Sequence, residues 1–125
     1  MGLLDALLGN ASEAPVDKVA AELAPLLIEG ERVERAFVLF RDLFVFTSRR
    51  LILVNKQGLT GSKVETLCVP YRSIVSFSVE NAGSFDMDSE LRLWISGQPA
   101  PVSKTFGRKV DAKALLGLLS ARVLG

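Results

Sequence analysis

The sequence has no histidine and a single cysteine, Cys68. Without an imidazole, neither a Ser-His nor a Cys-His nucleophile can be assembled, and a histidine-bound zinc site is excluded. One cysteine cannot form an internal disulfide, which favours a reducing compartment. Because Cys68 lies between Leu67 and Val69, we expect a small buried side chain rather than a reactive thiolate. The sequence therefore predicts a protein that is not an enzyme and that binds no cofactor or metal.

An excess of charge of one sign is also missing. The chain has 15 Lys and Arg against 14 Asp and Glu, which gives a formal net charge of +1. No overall field then favours nucleic acid or an anionic membrane. The aromatic residues Tyr71, Phe77 and Trp94 are not interleaved with a basic stripe of the kind that binds single strands. We therefore expect no nucleic-acid partner.

Long apolar runs and targeting signals are absent as well. No stretch approaches the roughly 18 apolar residues that a membrane-spanning helix needs. Residues 1–8 lack the basic region of a secretory peptide and carry Asp5 early. These features predict a cytoplasmic protein that contacts membranes at most weakly and peripherally. With 125 residues, 49% of them hydrophobic, the chain is long enough to form a core unaided.

The most informative segment that is present runs from Asp86 to Ile95, where apolar and polar residues alternate. Only a strand places such residues on two separate faces. Leu91, Leu93 and Ile95 fall on one face. The other face carries Glu90, Arg92 and Trp94. The largest side chain of the protein therefore points away from the aliphatic core face, and it needs a cover from a second layer, a partner subunit or a ligand.

Helical patterns occupy the first 30 residues. A two-turn apolar face, ended by Gly9, is formed by Leu3, Leu4, Leu7 and Leu8. It offers no lysine at its polar edge, so we expect it to dock on protein rather than on a membrane. A second helix opens at Ser12 or Pro15, and Pro25 is expected to shorten or kink it. Its apolar positions are Val16, Val19, Ala20, Leu23 and Leu27. Residues 1–30 are therefore predicted to be a helical extension.

The pattern from residue 31 to 125 is strand, turn, strand, closed by a helix. We predict seven short strands, at 33–40, 43–48, 50–55, 63–69, 74–80, 89–96 and 100–106. A last helix follows from Asp111 as its N-cap. Its apolar stripe consists of Leu115, Leu116, Leu119 and Val123. This order predicts an α+β domain in which a strongly bent antiparallel sheet, or open barrel, is plugged at one end by the C-terminal helix.

Two of these strands are apolar on both faces. Neither alternating set of residues is polar in 43–46 or in 51–54. A half-solvated antiparallel strand would alternate, so both sides are expected to be buried. The N-terminal helices and a neighbouring subunit are the available covers. A tightly closed barrel with scattered apolar residues on its surface is the other explanation.

Five segments in this order are similar to the bacterial pleckstrin-homology (PH) domain family. They are residues 46–52, 56–65, 69–74, 85–97 and 104–108. The resemblance extends from about Gly30 to the end, and it implies a PH-like domain without enzymatic activity. It also implies a family with members that assemble as rings of identical subunits, here expected to be pentameric. We place the expected oligomer interface at Glu90, Arg92, Trp94, Phe44 and Phe46.

Phosphoinositide binding, the best-known activity of this superfold, is not expected. Eukaryotic PH domains that bind headgroups carry several cations around the first strand connection. Here the predicted connection is Arg41 and Asp42, whose charges cancel.

Two hypotheses about function remain. One is a homo-oligomeric scaffold that presents repeated sites to an unknown protein partner. The other is a module that binds a ligand or an anionic membrane weakly, by avidity, through a basic patch of Arg49, Arg50, Lys56 and Lys63.

Overall fold

A computed structural model of the chain describes residues 13–39, 42–57, 63–81, 88–107 and 110–125. These residues form two compact units, one ending at Val69 and the other beginning at Pro70. The helix predicted over Leu3–Leu8 lies outside the described residues. Within them one helix precedes the strands, where two were predicted. The predicted boundary between an extension and a domain at residue 30 stays a prediction.

The first unit contains helix α1 and a four-stranded sheet. Its elements are α1 (Val16–Leu23), β1 (Val33–Leu39), β2 (Asp42–Thr47), β3 (Arg50–Gln57) and β4 (Lys63–Pro70). The strands are hydrogen-bonded in the order β1-β2-β3-β4. Pro15 occupies the N-cap of α1, where its missing N–H costs nothing. The helix ends at Leu23 because Pro25 has no N–H to continue the ladder, so that of the two effects expected of Pro25 the structure shows the shortening.

Both faces of β2 and β3, the central strands of the first sheet, are buried, which confirms the expectation from the two-sided apolar strands. One face packs against α1 through Val19 and Leu23. The sheet residues of that face are Val33, Ala36, Val38, Leu43, Val45, Ile52 and Val54. The opposite face buries Phe37, Phe44, Phe46, Leu51 and Leu53. Thus α1 covers one side of the sheet, as was expected of the N-terminal helices.

The second unit contains three strands and the C-terminal helix. Its elements are a 3₁₀ turn (Tyr71–Ser73), β5 (Ile74–Asn81), β6 (Ser89–Ile95), β7 (Val102–Phe106) and α2 (Ala112–Val123). The strand order is β5-β6-β7, and both pairs are antiparallel. Helix α2 lies against β5 and the 3₁₀ turn, and it buries Leu115 and Leu119. Asp111 caps α2 by accepting a hydrogen bond from the Lys113 amide, at 2.9 Å, as predicted.

The number and order of the strands were predicted correctly, but their arrangement in one bent sheet or barrel was wrong. The described strands form two separate sheets of four and three, with no closed barrel. The break falls between β4 and β5. There Pro70 offers no N–H to a ladder, and the 3₁₀ turn interrupts the extended backbone before β5 begins.

Two single-residue expectations were also wrong. Cys68 is exposed rather than buried, because β4 is an edge strand and most of its residues face solvent on both sides. Leu116 is 38% exposed, although it was assigned to the apolar stripe of the last helix. The helical period places Leu116 about 100° from Leu115, which already points into the unit.

Candidate functional site

A buried ion pair of the first unit joins Glu31 to Arg50. The Glu31 side chain is fully buried, and the Arg50 side chain is 22% exposed. Two guanidinium N–H groups donate to the two carboxylate oxygens, Nη2 to Oε1 and Nε to Oε2, both at 2.9 Å. The Arg50 hydrogen bond is the main reason that the pKa of Glu31 is lowered from 4.5 to about 2. This geometry is the bidentate pairing that guanidinium and carboxylate favour.

The same two residues connect the segment before β1 to the turn between β2 and β3. Glu31 also accepts from the Ile28 amide at 3.1 Å and from the Thr47 hydroxyl at 2.6 Å. Arg50 donates to the Leu26 carbonyl at 2.8 Å and to the Cys68 sulfur at 3.4 Å. Arg50 was predicted to contribute to a basic patch. It instead makes an ion pair within its own chain, with a residue that the sequence analysis did not identify.

The four predicted basic-patch residues do not come together. Arg49 directly precedes β3 and Arg50 begins it, whereas Lys56 lies six residues beyond Arg50, about 20 Å away at about 3.3 Å per residue. Strand β4 runs antiparallel to β3, as shown by the contacts of Asn55 with Glu65 and of Arg50 with Cys68. Lys63 therefore lies at the Lys56 end. The four residues therefore form two separated pairs, Arg49 with Arg50 and Lys56 with Lys63. Arg50 of the first pair is already ion-paired with Glu31.

The two faces of β6 are as predicted for Leu91 and Leu93, whereas Ile95, which was expected on the same core face, is half-buried. Ser89, Leu91 and Leu93 are buried, and the intervening residues are half-buried. Glu90 lies directly opposite Glu80 of β5 in the strand register, which places two like charges side by side. Arg92 compensates this repulsion. Its guanidinium lies 2.6 Å from the Glu90 carboxylate and 3.4 Å from that of Glu80.

Trp94 lies on the same face as this charged cluster and is half-buried. Its partner on β5 is Ser76, whose small side chain cannot cover an indole. At the other end of the face, Glu80, Asp88, Glu90 and Thr105 line an open depression of about 380 Å³. We call Glu80, Asp88, Glu90, Arg92 and Trp94 the sheet patch. It combines three carboxylates and one guanidinium with one partly exposed aromatic ring.

The two phenylalanines of the expected interface lie elsewhere. Phe44 and Phe46 are 0% and 1% exposed in the single chain. Their ring centroids are 5.5 Å apart, and the Phe46 ring lies edge-on to Phe37 at 6.2 Å. Packing within the chain already covers both rings. They have no surface to offer a partner, whereas Glu90, Arg92 and Trp94 do.

The two antiparallel sheets and the C-terminal helix define a PH-like domain, and comparison with known proteins gives the family. The bacterial PH domain family model matches residues 2–123, so the chain belongs to that family. The Bacillus subtilis protein YjqA is 61% identical over 122 residues, which cover 97% of this chain and 98% of YjqA. YozO of the same organism is 39% identical over 74 residues, covering 59% of this chain and 64% of YozO.

Solved bacterial PH-domain structures have the same fold. A pleckstrin-homology domain from Shewanella amazonensis is 50% identical with a TM-score of 0.79, covering 89% of this chain and all of that domain. A protein from Shewanella loihica is 45% identical with a TM-score of 0.82, covering 91% of this chain and 97% of that one. A PH-domain protein from Exiguobacterium sibiricum is 25% identical with a TM-score of 0.67, and the match covers 88% of this chain and 60% of that protein. In the part of the chain that the structure describes, no helix has the length and apolar character to span a membrane.

Proposed function

We propose that this protein is a non-enzymatic PH-like module that assembles into a cyclic homo-oligomer and presents repeated sites to a protein partner in the cytoplasm. The resemblance to the bacterial PH family makes a pentameric ring the expected assembly. The observation that carries the proposal is the sheet patch. It holds a half-buried Trp94 on a strand face that the chain itself leaves partly open.

Physical chemistry favours a protein partner for this patch. Tryptophan and arginine are both enriched at the centres of protein interfaces. The rigid indole buries a large area at low entropic cost, and the guanidinium offers several directed hydrogen bonds. The remaining charges, Glu80, Asp88 and Glu90, are acidic and would repel an anionic lipid surface. A second copy of the chain or another protein therefore fits the patch better than a membrane does.

The alternative function, weak binding to anionic ligands or membranes through a basic patch, has less support. It requires Arg49, Arg50, Lys56 and Lys63 to act together, but they form two pairs about 20 Å apart along the strands. Arg50 is held by Glu31 at 2.9 Å. Avidity in a ring would have to operate with the remaining exposed cations alone.

Light scattering coupled to size-exclusion chromatography tests the proposal. We expect a single oligomeric species at micromolar protein concentration, and a monomer there would contradict the proposal. Flotation with anionic vesicles at low and at physiological salt tests the alternative in parallel. Strong flotation that persists at physiological salt would favour the membrane function. A weak long-range attraction to anionic lipid would be lost there, because charges are screened within about 8 Å at that ionic strength.

A further inference from the structure

Helix α2 presents an apolar face that the described chain leaves open. Leu115 and Leu119 bury one side of the helix. The opposite side carries Lys113, Leu116, Gly117, Ser120 and Leu124, which the helical period aligns on one face. We call these five residues the helix patch. Leu116 is 38% exposed and Leu124 is 75% exposed. A helix that is apolar on more than one side usually has more than one neighbour.

Gly117 gives the helix patch its shape. Glycine is the least favourable residue in a helix interior after proline. Packing within the chain does not require it here, because a Cβ added at Gly117 would meet no atom within 4 Å. The result is a shallow site on the helix surface between Lys113 and Ser120, one turn to either side. The Ser120 hydroxyl donates a hydrogen bond to the Leu116 carbonyl at 2.8 Å, so its donor does not need a partner from another molecule.

The charges of the helix patch complement those of the sheet patch. Lys113 is the one ionisable side chain on the helix patch, and it is exposed. The sheet patch carries three carboxylates against one guanidinium, and the Glu80 side chain is 67% exposed. An apolar surface with a single cation therefore matches an aromatic surface with excess negative charge. Complementary potentials of this kind select the partner and its orientation.

We propose that the sheet patch of one subunit packs against the helix patch of the next subunit. Trp94 lies over Gly117, and Lys113 faces the carboxylates of the sheet patch. The contact joins two different surfaces, as a head-to-tail interface must in order to close a ring of more than two copies. This inference rests on the cyclic homo-oligomer proposed above, and it identifies the second surface that such an oligomer requires.

Gly117→Gln tests the contact without endangering the fold. The added side chain enters open space in the single chain and raises helix propensity, so the subunit should stay folded. In the assembly it occupies the site of the indole, and we expect the concentration of half-assembly to rise about tenfold or more. Gly117→Ala is the matched control, with a smaller effect. Circular dichroism reports folding, and analytical ultracentrifugation reports assembly.

Charge reversal provides an independent test. Lys113→Glu places an acid in the first turn of α2, where the helix dipole favours it, so folding is preserved. It should weaken assembly, and Glu80→Lys should weaken it too. The double variant should recover part of the loss. If the wild-type protein assembles and both Gly117→Gln and Lys113→Glu assemble as well as the wild type does, the inference is overturned. A monomeric wild type would instead overturn the oligomer itself.

Discussion

The guanidinium of Arg50 donates two hydrogen bonds of 2.9 Å to the buried carboxylate of Glu31, which lies 19 residues earlier in the chain. A carboxylate that is completely shielded from water is tolerated because all its hydrogen-bond partners are in place. They are the guanidinium, the Ile28 amide and the Thr47 hydroxyl. This ion pair therefore holds the chain segment that leads into β1 against the β2–β3 turn.

Removing one member of the pair should be strongly destabilising. We expect Glu31→Ala to lower the free energy of unfolding by about 3 kcal/mol or more, because it leaves the Arg50 guanidinium without its counterion. Arg49→Ala is the matched control, since Arg49 is the exposed neighbour in the same turn, and it should change stability by no more than about 0.5 kcal/mol. Urea denaturation measures both. Equal effects of the two substitutions would contradict the structural role of the pair.

The pair should also make stability depend on pH. The folded pKa of Glu31, about 2, lies below the unfolded value of 4.5. The stabilisation is therefore fully present above about pH 4.5 and is lost as the pH falls toward 2, with a total of about 3 kcal/mol. In Glu31→Gln the loss of stability between pH 5 and pH 2 should be smaller by this amount. Urea titrations across that range would show an unchanged pH dependence if another carboxylate were responsible.

Trp94 should report assembly directly by fluorescence. It is the one tryptophan in the sequence, so intrinsic emission excited at the indole band comes from this site alone. Dilution below the assembly midpoint should expose the ring and shift the emission to longer wavelength. Trp94→Glu should weaken assembly, because a carboxylate would lose water in the interface. Trp94→Phe should retain most of it. Emission that stays constant while the particle mass falls would place Trp94 outside the interface.

Inositol phosphates should bind undetectably, or with a dissociation constant above about 100 µM. Strand β1 ends at Leu39 and β2 begins at Asp42, so the connection is too short to surround a phosphate with several cations. The Asp42 carboxylate already accepts the Lys56 amide at 3.0 Å. Isothermal titration calorimetry with soluble headgroups is the measurement. A saturable complex in the low micromolar range would refute the expectation.

Local patterns in the sequence determined most of the secondary structure. Alternation in 89–95 specified both faces of β6, and Asp111 marked the start of α2 by the capping chemistry of its carboxylate. Proline positions set the limits of α1, and two-sided apolar runs correctly indicated that β2 and β3 are buried on both faces. These features depend on neighbours within a few residues, which is why they are legible without coordinates.

Tertiary structure decided the features that depend on distant residues. The Glu31–Arg50 pair joins positions 19 residues apart, and a charged side chain has no local signature for its partner. The separation of Arg50 from Lys56 follows from the extended rise of β3, and the exposure of Cys68 follows from the edge position of β4. Sequence periodicity predicts which face of a strand or helix a residue occupies, but only tertiary packing, such as that of α1 on the first sheet, decides what lies against that face.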